Sequence, residues 1–539
     1  MKKIIIFLSF TALAVKGFSI DVGDQARMVI AKQKLYGGQY NEALDIYNDV
    51  LKKNPNDATV LYYVGYCNFK LNKNSVAIEN LNKAIETKAE IKPETYYILG
   101  RVYFSEANIE KALVEFEKFK ALNNVKSSEY EDGGGDVNLY ISQCNNSKKL
   151  SANPIPVKID NLGSNINSKF DDQTPCITAD GRQLVITTRR PKKKNSLVDV
   201  EGDGKYFQDI YISSWDTVNQ KWNACEAVPG KVNTDAHDAC TSISADGKKI
   251  YLYKNDASSS ESRGGDIFVS KINNGKWKAP ESIGKPVNSS YWEGGACISP
   301  DGKTLFFISE RKGGFGSADI WMSNKISGKE WDEPVNLGAD INSVFDEVGV
   351  FLAPDGKTLF FSSNGMGSMG SYDIFKTTLV GDKWTKPVNL GYPINTIYKD
   401  GPLVISADAN TAYFASNRPG GLGETDIYSA DLSNYSLLDN DGKKKSNSAF
   451  GILKGVVVDD KGKAVKACDV QILDAAGAVV STIASNDLGE YFVTLKGGSS
   501  YTIKVVLKGY KTFEEKIEIK ISKTTSTVLN KTISLVPEK

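Results

Sequence analysis

Histidine occurs once in these 539 residues, at His237. A catalytic triad built on histidine would have to use it, and no Gly-x-Ser-x-Gly elbow supplies the serine. A histidine-rich metal site is excluded. The seven cysteines are Cys67, Cys144, Cys176, Cys225, Cys240, Cys297 and Cys468, and none lies in a Cys-x-x-Cys pair, which removes the usual zinc and redox motifs. Their odd number leaves at least one unpaired within the chain, and their scatter argues against a disulfide framework. No phosphate-loop or dinucleotide glycine fingerprint appears, so no cofactor is implied. Charge of one sign is also missing. Lys+Arg is 66 and Asp+Glu is 65, and without Lys2, Lys3 and Lys16 the balance is 63 against 65. No domain-wide basic field exists to hold nucleic acid.

Long apolar runs are absent after the first residues. Lys2 and Lys3 precede an apolar run of 12 residues, Ile4 to Val15, and Gly17 and Ser19 are small residues at −3 and −1 of a cut after Ser19. This pattern predicts a secretory signal peptide over residues 1–19, too short to span a bilayer. No cysteine follows the run, so a lipid anchor at this site is excluded. The expected location is periplasmic or outer-membrane-associated, with no direct transmembrane span. The basic stretch 189–194 (RRPKKK) reads as a solvated loop.

At this length several cores are expected, and internal repeats divide the chain. Ala43, Tyr47 and Val50 are spaced 0, 4 and 7; Ala77, Leu81 and Ala84 repeat them after 34 residues, and Ala112, Phe116 and Phe119 after another 35. Val64–Gly65 and Leu99–Gly100 add a Leu-Gly-like pair, and Tyr103 follows the second. Small residues at these places let antiparallel helices approach closely. Residues 20–150 resemble three tetratricopeptide repeats plus a capping helix that Asp136 would start. In that register the inner face of the first helices carries Lys32, Tyr36, Tyr62, Tyr66, Tyr97 and Arg101, the expected protein-binding residues. The competing reading places them in packing between repeats.

From 154 to 432 the pattern changes to short strands and turns. An Asp-centred turn recurs at Asp180, Asp246, Asp301, Asp355 and Asp408, with spacings of 66, 55, 54 and 53 residues. Asp-Ile-aromatic recurs at Asp209, Asp266, Asp319, Asp373 and Asp426, with spacings of 57, 53, 54 and 53. A tryptophan followed by Gly and Asn recurs at Trp222, Trp277, Trp331 and Trp384. Each unit reads as four strands, the fourth being 331–337 in the clearest copy. The units resemble the WD40-like family related to the TolB propeller (the PD40 type), which implies a five-bladed β-propeller. The Asp-Ile-aromatic aspartates are expected to bind the amides of their own loops, as structural rather than catalytic groups. Cys176, Cys240 and Cys297 are expected on innermost strands as small buried packing residues; the competing reading is a linked pair among them. Residues 155–163 (IPVKIDNLG) match the end of the fourth strand elsewhere, as in 334–338 (PVNLG), and are expected to complete the last blade. Asp199, Glu201 and Asp203 lack a full calcium ligand set and read as a solvated acidic loop.

A polar linker, 433–448, precedes a third module at 449–539. Gly455-Val456-Val457-Val458-Asp459, Val470-Gln471-Ile472 and the run from Ser485 to Phe492 resemble the carboxypeptidase-regulatory-like domain, which implies a transthyretin-like β-sandwich without catalytic residues. The expected fold is therefore multidomain, α followed by all-β.

This order of modules resembles Bacteroidota envelope proteins, among them PorE-like components of the type IX secretion system. Those usually end in an OmpA-like domain; this chain stops at Lys539 after the sandwich, so peptidoglycan binding is not carried over. The resemblance implies a non-catalytic scaffold for protein–protein interaction in secretion or outer-membrane assembly, with envelope or secretion-system proteins as partners. The alternative is a carbohydrate- or peptide-binding propeller with weak hydrolase activity, since acid pairs for glycoside hydrolysis cannot be placed from sequence.

Overall fold

The computed structural model describes residues 21–87, 91–122, 137–192, 196–199, 203–255, 265–273, 275–328, 330–365, 367–438, 450–521 and 527–538. The signal-peptide region, Asp136, Glu201 and most of the 433–448 linker lie outside these. The chain divides into two compact units, residues 1–145 and 146–539.

The first unit is helical: α1 (Val22–Tyr36), α2 (Tyr40–Lys53), α3 (Ala58–Lys70), α4 (Asn74–Glu86), α5 (Glu94–Ser105), α6 (Ile109–Leu122) and the start of α7 (Val137–Ser151). Asp21 and Asp57 cap α1 and α3, accepting from the amides of Asp24 at 2.8 Å and Val60 at 2.9 Å. All nine residues of the 0, 4, 7 pattern have no exposed surface. A Cβ on Gly65 would lie 2.6 Å from Leu81 Cγ, and one on Gly100 would lie 2.7 Å from Phe116. The two glycines are thus the contact points of α3 on α4 and of α5 on α6. Tyr140 of α7 stacks on Phe116, ring centroids 5.2 Å apart, and covers the last helix pair.

The second unit begins with five sheets built alike. Their inner strands are Asp172–Ile177, Asp238–Ile243, Glu293–Ile298, Glu347–Leu352 and Asp400–Ile405. Each is followed by an Asp turn and two antiparallel strands, for example Thr304–Ser309 and Asp319–Ser327. Inner strands of successive sheets neighbour one another, and the fifth neighbours the first, so the cycle closes. The expected continuous fourth strand is instead two short pieces, such as Glu330–Trp331 and Val335–Asn336, both paired with the third strand. Pro280, Pro334 and Pro387 sit in three of these interruptions, where a missing amide breaks the ladder. In the fifth sheet the outer strand is Lys158–Asn161, antiparallel to Asp426–Asp431, so the segment before the first sheet completes the last, as its sequence indicated.

The remaining strands form two facing four-stranded sheets. Phe450–Val458 pairs antiparallel with Glu490–Lys496 and parallel with Val528–Asn530 and Ile533–Ser534. Asp469–Leu473 lies between Val479–Ala484 and Ser499–Val505, and Phe513–Ile519 closes that sheet. Leu453, Val470, Ile472, Tyr491, Ile503 and Ile519 are among the buried residues of their common core.

Candidate functional site

On the helical unit the six residues expected to bind a partner divide sharply. Tyr62, Tyr66 and Tyr97 are buried, at 2%, 4% and 1% exposure, and fill the space between helices. Tyr36 is exposed, while Lys32 and Arg101 are half-buried. The structure therefore places the three inner tyrosines in packing: Tyr62 meets Tyr63 edge-on and stacks on Tyr66, and Tyr97 lies tilted against Phe119. Cations lie over these rings. Lys92 Nζ is 5.3 Å from the Tyr62 centroid, Lys70 Nζ 5.3 Å from that of Tyr66, and Arg101 5.8 Å from that of Tyr97 and 5.1 Å from that of Tyr140. Lys32 Nζ lies 5.5 Å over Tyr36. An aromatic floor topped by cations attracts carboxylates, and each cation–π contact contributes about 0.5–2 kcal/mol.

Three of the repeated aspartates do what their position suggested. Asp319 accepts from the amides of Phe315 (2.6 Å) and Gly316 (3.0 Å), and Asp426 from those of Leu422 (2.5 Å) and Gly423 (3.0 Å). Asp373 accepts from Met369 N at 2.7 Å. An asparagine of the outer strand joins each: Asn336 at 3.0 Å, Asn161 at 2.8 Å and Asn389 at 2.6 Å. Asp209 differs, since Lys192 lies 2.5 Å from it. The loop before Asp266 falls outside the described residues. Burial raises Asp373 to about 8 and Asp209 to about 6, the latter against the pull of Lys192.

The basic stretch is not a solvated loop at its start. Arg190 reaches the buried carboxylate of Asp172 at 2.7 Å, and Arg189 reaches Asp203 at 3.1 Å. These pairs anchor the segment, which accounts for the departure from the expected solvation.

Sequence reasoning missed a second set of acids. Asp172, Asp238, Glu293, Glu347 and Asp400 each open an inner strand, and all are at most 1% exposed. Each accepts from the backbone amide and hydroxyl of a Ser or Thr four residues earlier, for example Thr396 to Asp400, both at 2.6 Å. Four also meet a cation: Arg190, Lys254, Arg311 and Arg418. Glu347 has no such partner among the described residues; Ser343 and Ser363 are its donors. Burial raises its carboxyl to about 7. A third missed element is an asparagine clamp. Asn233, Asn288, Asn342, Asn395 and Asn167 each accept from and donate to the backbone of the Ile in Asp-Ile-aromatic, at 2.8–3.0 Å.

His237 is held by its surroundings. Its Nδ1 accepts from the Gln208 amide at 3.3 Å, which leaves the proton on Nε2 to donate to Asp199 at 3.2 Å. The Phe207 ring meets it edge-on at 4.9 Å. Asp199 and Asp203 are thus engaged by His237 and Arg189. Among the described residues no group of three His, Cys, Asp or Glu is arranged to hold a metal ion, and no helix is long and apolar enough to cross a membrane.

The sandwich meets the turn of every one of the five sheets. Phe450 N donates to the Ala407 carbonyl at 2.8 Å, and Ile452 is buried against Ala179 and Ala407, with Ala245, Phe492 and Val528 beside them. Lys248 pairs with Glu490 at 2.5 Å, Lys303 Nζ donates to the Thr482 carbonyl at 2.9 Å, and Thr494 Oγ1 donates to the Pro354 carbonyl at 3.2 Å. The buried acids lie at the opposite ends of the inner strands, away from these turns.

Residues 452–534 match the carboxypeptidase regulatory-like domain family, and residues 25–57 match the tetratricopeptide repeat family. No curated protein matches the chain. Similar solved structures include MamA, at 22% identity over 24% of this chain and 70% of that one, with a TM-score of 0.21. The first tetratricopeptide domain of Spaghetti (RPAP3) bound to an HSP90 peptide is 18% identical over 25% of this chain and 99% of that one, TM-score 0.21. The Yersinia enterocolitica type III secretion chaperone SycD with a YopD peptide is 13% identical over 23% and 93%, TM-score 0.21. The chain thus contains a tetratricopeptide repeat and a carboxypeptidase regulatory-like domain, and the repeats indicate protein partners.

Proposed function

We propose that this chain is a non-catalytic scaffold of the bacterial cell envelope, exported by its N-terminal segment, which holds protein partners in a secretion or outer-membrane assembly of the type IX kind. In this reading the five sheets are the blades of a β-propeller. The closed cycle of inner strands and the shared fifth sheet support that. The helical repeats take a partner segment rich in acidic residues, and the cations over Tyr62, Tyr66, Tyr97 and Tyr140 support that choice. The observation that carries the scaffold reading is the use of the titratable groups. Among the described residues, the single histidine is tied to Gln208 and Asp199, and the repeated acids whose loops are described are engaged by loop amides, Ser/Thr turns or internal cations. What remains for function is surface, and several modules in one chain raise the effective concentration at each contact.

The test is capture from envelope extract by the full chain beside a Lys92→Glu/Arg101→Glu variant of equal helicity. The wild type is expected to retain a defined set of envelope proteins at moderate salt, and the variant to lose at least one. Identical capture by both forms would overturn the role given to the helical face. Turnover of a peptide or glycan substrate, abolished by replacing one acid pair, would overturn the scaffold reading.

A further inference from the structure

Cys176 and Cys240 stand on the inner strands of the first and second blades, which neighbour each other in the cycle. Their sulfurs are 3.4 Å apart. Both side chains are buried, at 1% and 0% exposure, among Val185, Ile210, Val232 and Leu252. Besides each other, the thiols meet only backbone carbonyls among the described residues: Cys176 Sγ lies 3.6 Å from that of Thr174 and Cys240 Sγ 3.8 Å from that of Ser242. Cys297, on the third blade, is engaged separately, accepting from Leu352 N at 3.3 Å.

We propose that Cys176 and Cys240 are joined by a disulfide that staples the first blade to the second. An S–S bond is about 2.05 Å long, so each sulfur need move by roughly 0.7 Å, within reach of a small χ1 adjustment. The two inner strands that carry them are already neighbours. The bond would link positions 64 residues apart and restrict the unfolded chain at the seam where blades one and two meet.

The chemistry balances with an external disulfide as oxidant. A thiolate of one cysteine attacks R–S–S–R and releases RS⁻. The second thiolate attacks the mixed disulfide, forms the Cys176–Cys240 bond and releases another RS⁻. Two thiol protons leave, and two electrons reduce the external disulfide to two thiols. The contact with Cys240, together with burial, holds the Cys176 thiol well above its usual range, so exchange belongs to the folding chain, before the blades close. Once formed, the bond is shielded from reductants by the same burial. The exported location proposed above would supply the oxidising conditions.

The full chain is denatured and reduced, refolded in oxidised and reduced glutathione, then alkylated in denaturant without reductant. Five of the seven cysteines are expected to react, and before alkylation the linked chain should weigh about 2 Da less than the reduced chain, for the two hydrogens lost. Peptide mapping should place the link between the fragments holding Cys176 and Cys240. Cys297→Ser should keep the link, and Cys240→Ser should abolish it. The linked chain should unfold at higher urea than the reduced chain, and C240S should match the reduced chain. Seven reactive thiols, or a link that survives in C240S, would overturn the proposal. Because this refolding does not depend on where the protein resides, a link formed in vitro but missing in protein isolated from its cells would leave the pairing standing and overturn the exported location.

Discussion

The amide of Phe450 donates to the carbonyl of Ala407 at 2.8 Å, tying the first strand of the sandwich to the turn of the fifth sheet. Ile452, two residues on, has no exposed surface and rests on Ala179 and Ala407. The sandwich therefore shields the turn end of the ring. Ile452→Asp would bury a carboxylate against two alanines with no cation, at a cost of about 3 kcal/mol to the docking. Amide hydrogen exchange should then rise at the turns around Asp180, Asp246 and Asp408. Unchanged protection there would mean the contact is incidental.

Side-chain contacts across the chain reinforce the strand pairing that closes the ring. Asn161 Nδ2 reaches Asp426 at 2.8 Å, and Asn167 accepts from Ile427 N and donates to Ile427 O at 2.8 and 2.9 Å. Asn167→Ala leaves the buried Ile427 amide without its acceptor, at about 1–3 kcal/mol, while the Ile427 carbonyl keeps the Leu162 amide at 3.1 Å. A lowered urea midpoint with an unchanged β-signal is expected. Deleting residues 155–163 removes the outer strand itself and should abolish the cooperative transition of the ring. Full β-signal and unchanged melting of the deletion would show that the ring closes without it.

The repeats were legible because packing imposes them. A 0, 4, 7 pattern of small and aromatic residues can hardly arise except from helices in contact, and all nine positions proved fully buried. The turn aspartates and Asp-Ile-aromatic marked strand ends for similar reasons. Less legible was anything depending on which side a side chain faces. Tyr62, Tyr66 and Tyr97 have the composition of a binding surface, yet a ring in a helix interface and a ring in a groove leave the same trace in sequence. The buried acids escaped because the position alternates between Asp and Glu. Their spacings of 66, 55, 54 and 53 residues match those of the turn aspartates and would have revealed them, as would the Ser or Thr four residues before each. Pairing with the sandwich lies between modules and has no sequence period at all.

Gly65 and Gly100 set the distance between helices in the first unit. An added methyl at Gly100 would sit 2.7 Å from the Phe116 ring, itself fully buried under Tyr140. Gly100→Ala is expected to destabilise the helical unit by about 1–3 kcal/mol through overpacking, although alanine is the better helix former. Thermal unfolding followed at the helical signal measures it. A rise in melting temperature would show that the ring yields and that propensity decides.

Glu347 is the one inner-strand acid without a cation partner among the described residues, and this gives the ring a pH dependence. Burial, opposed by bonds from Ser343 and Ser363, raises its carboxyl from an ordinary 4.5 to about 7. The folded state thus prefers the protonated form. Below the unfolded value both states are protonated and the contribution to stability is fully present. As pH rises from 4.5 through about 7, the unfolded chain ionises first and stability falls, by at most about 3 kcal/mol in all. Glu347→Gln keeps the shape and removes the proton equilibrium. It is expected to be more stable than wild type at pH 8 and no more stable at pH 4, with the two curves converging on acidification. Asp400, whose carboxylate meets Arg418 at 2.7 Å, supplies the contrast: Asp400→Asn leaves that guanidinium without its counter-charge and should destabilise the ring at pH 8. Parallel urea midpoints for wild type and E347Q across this range would show that Glu347 is ionised in the folded ring and balanced by a group not yet identified.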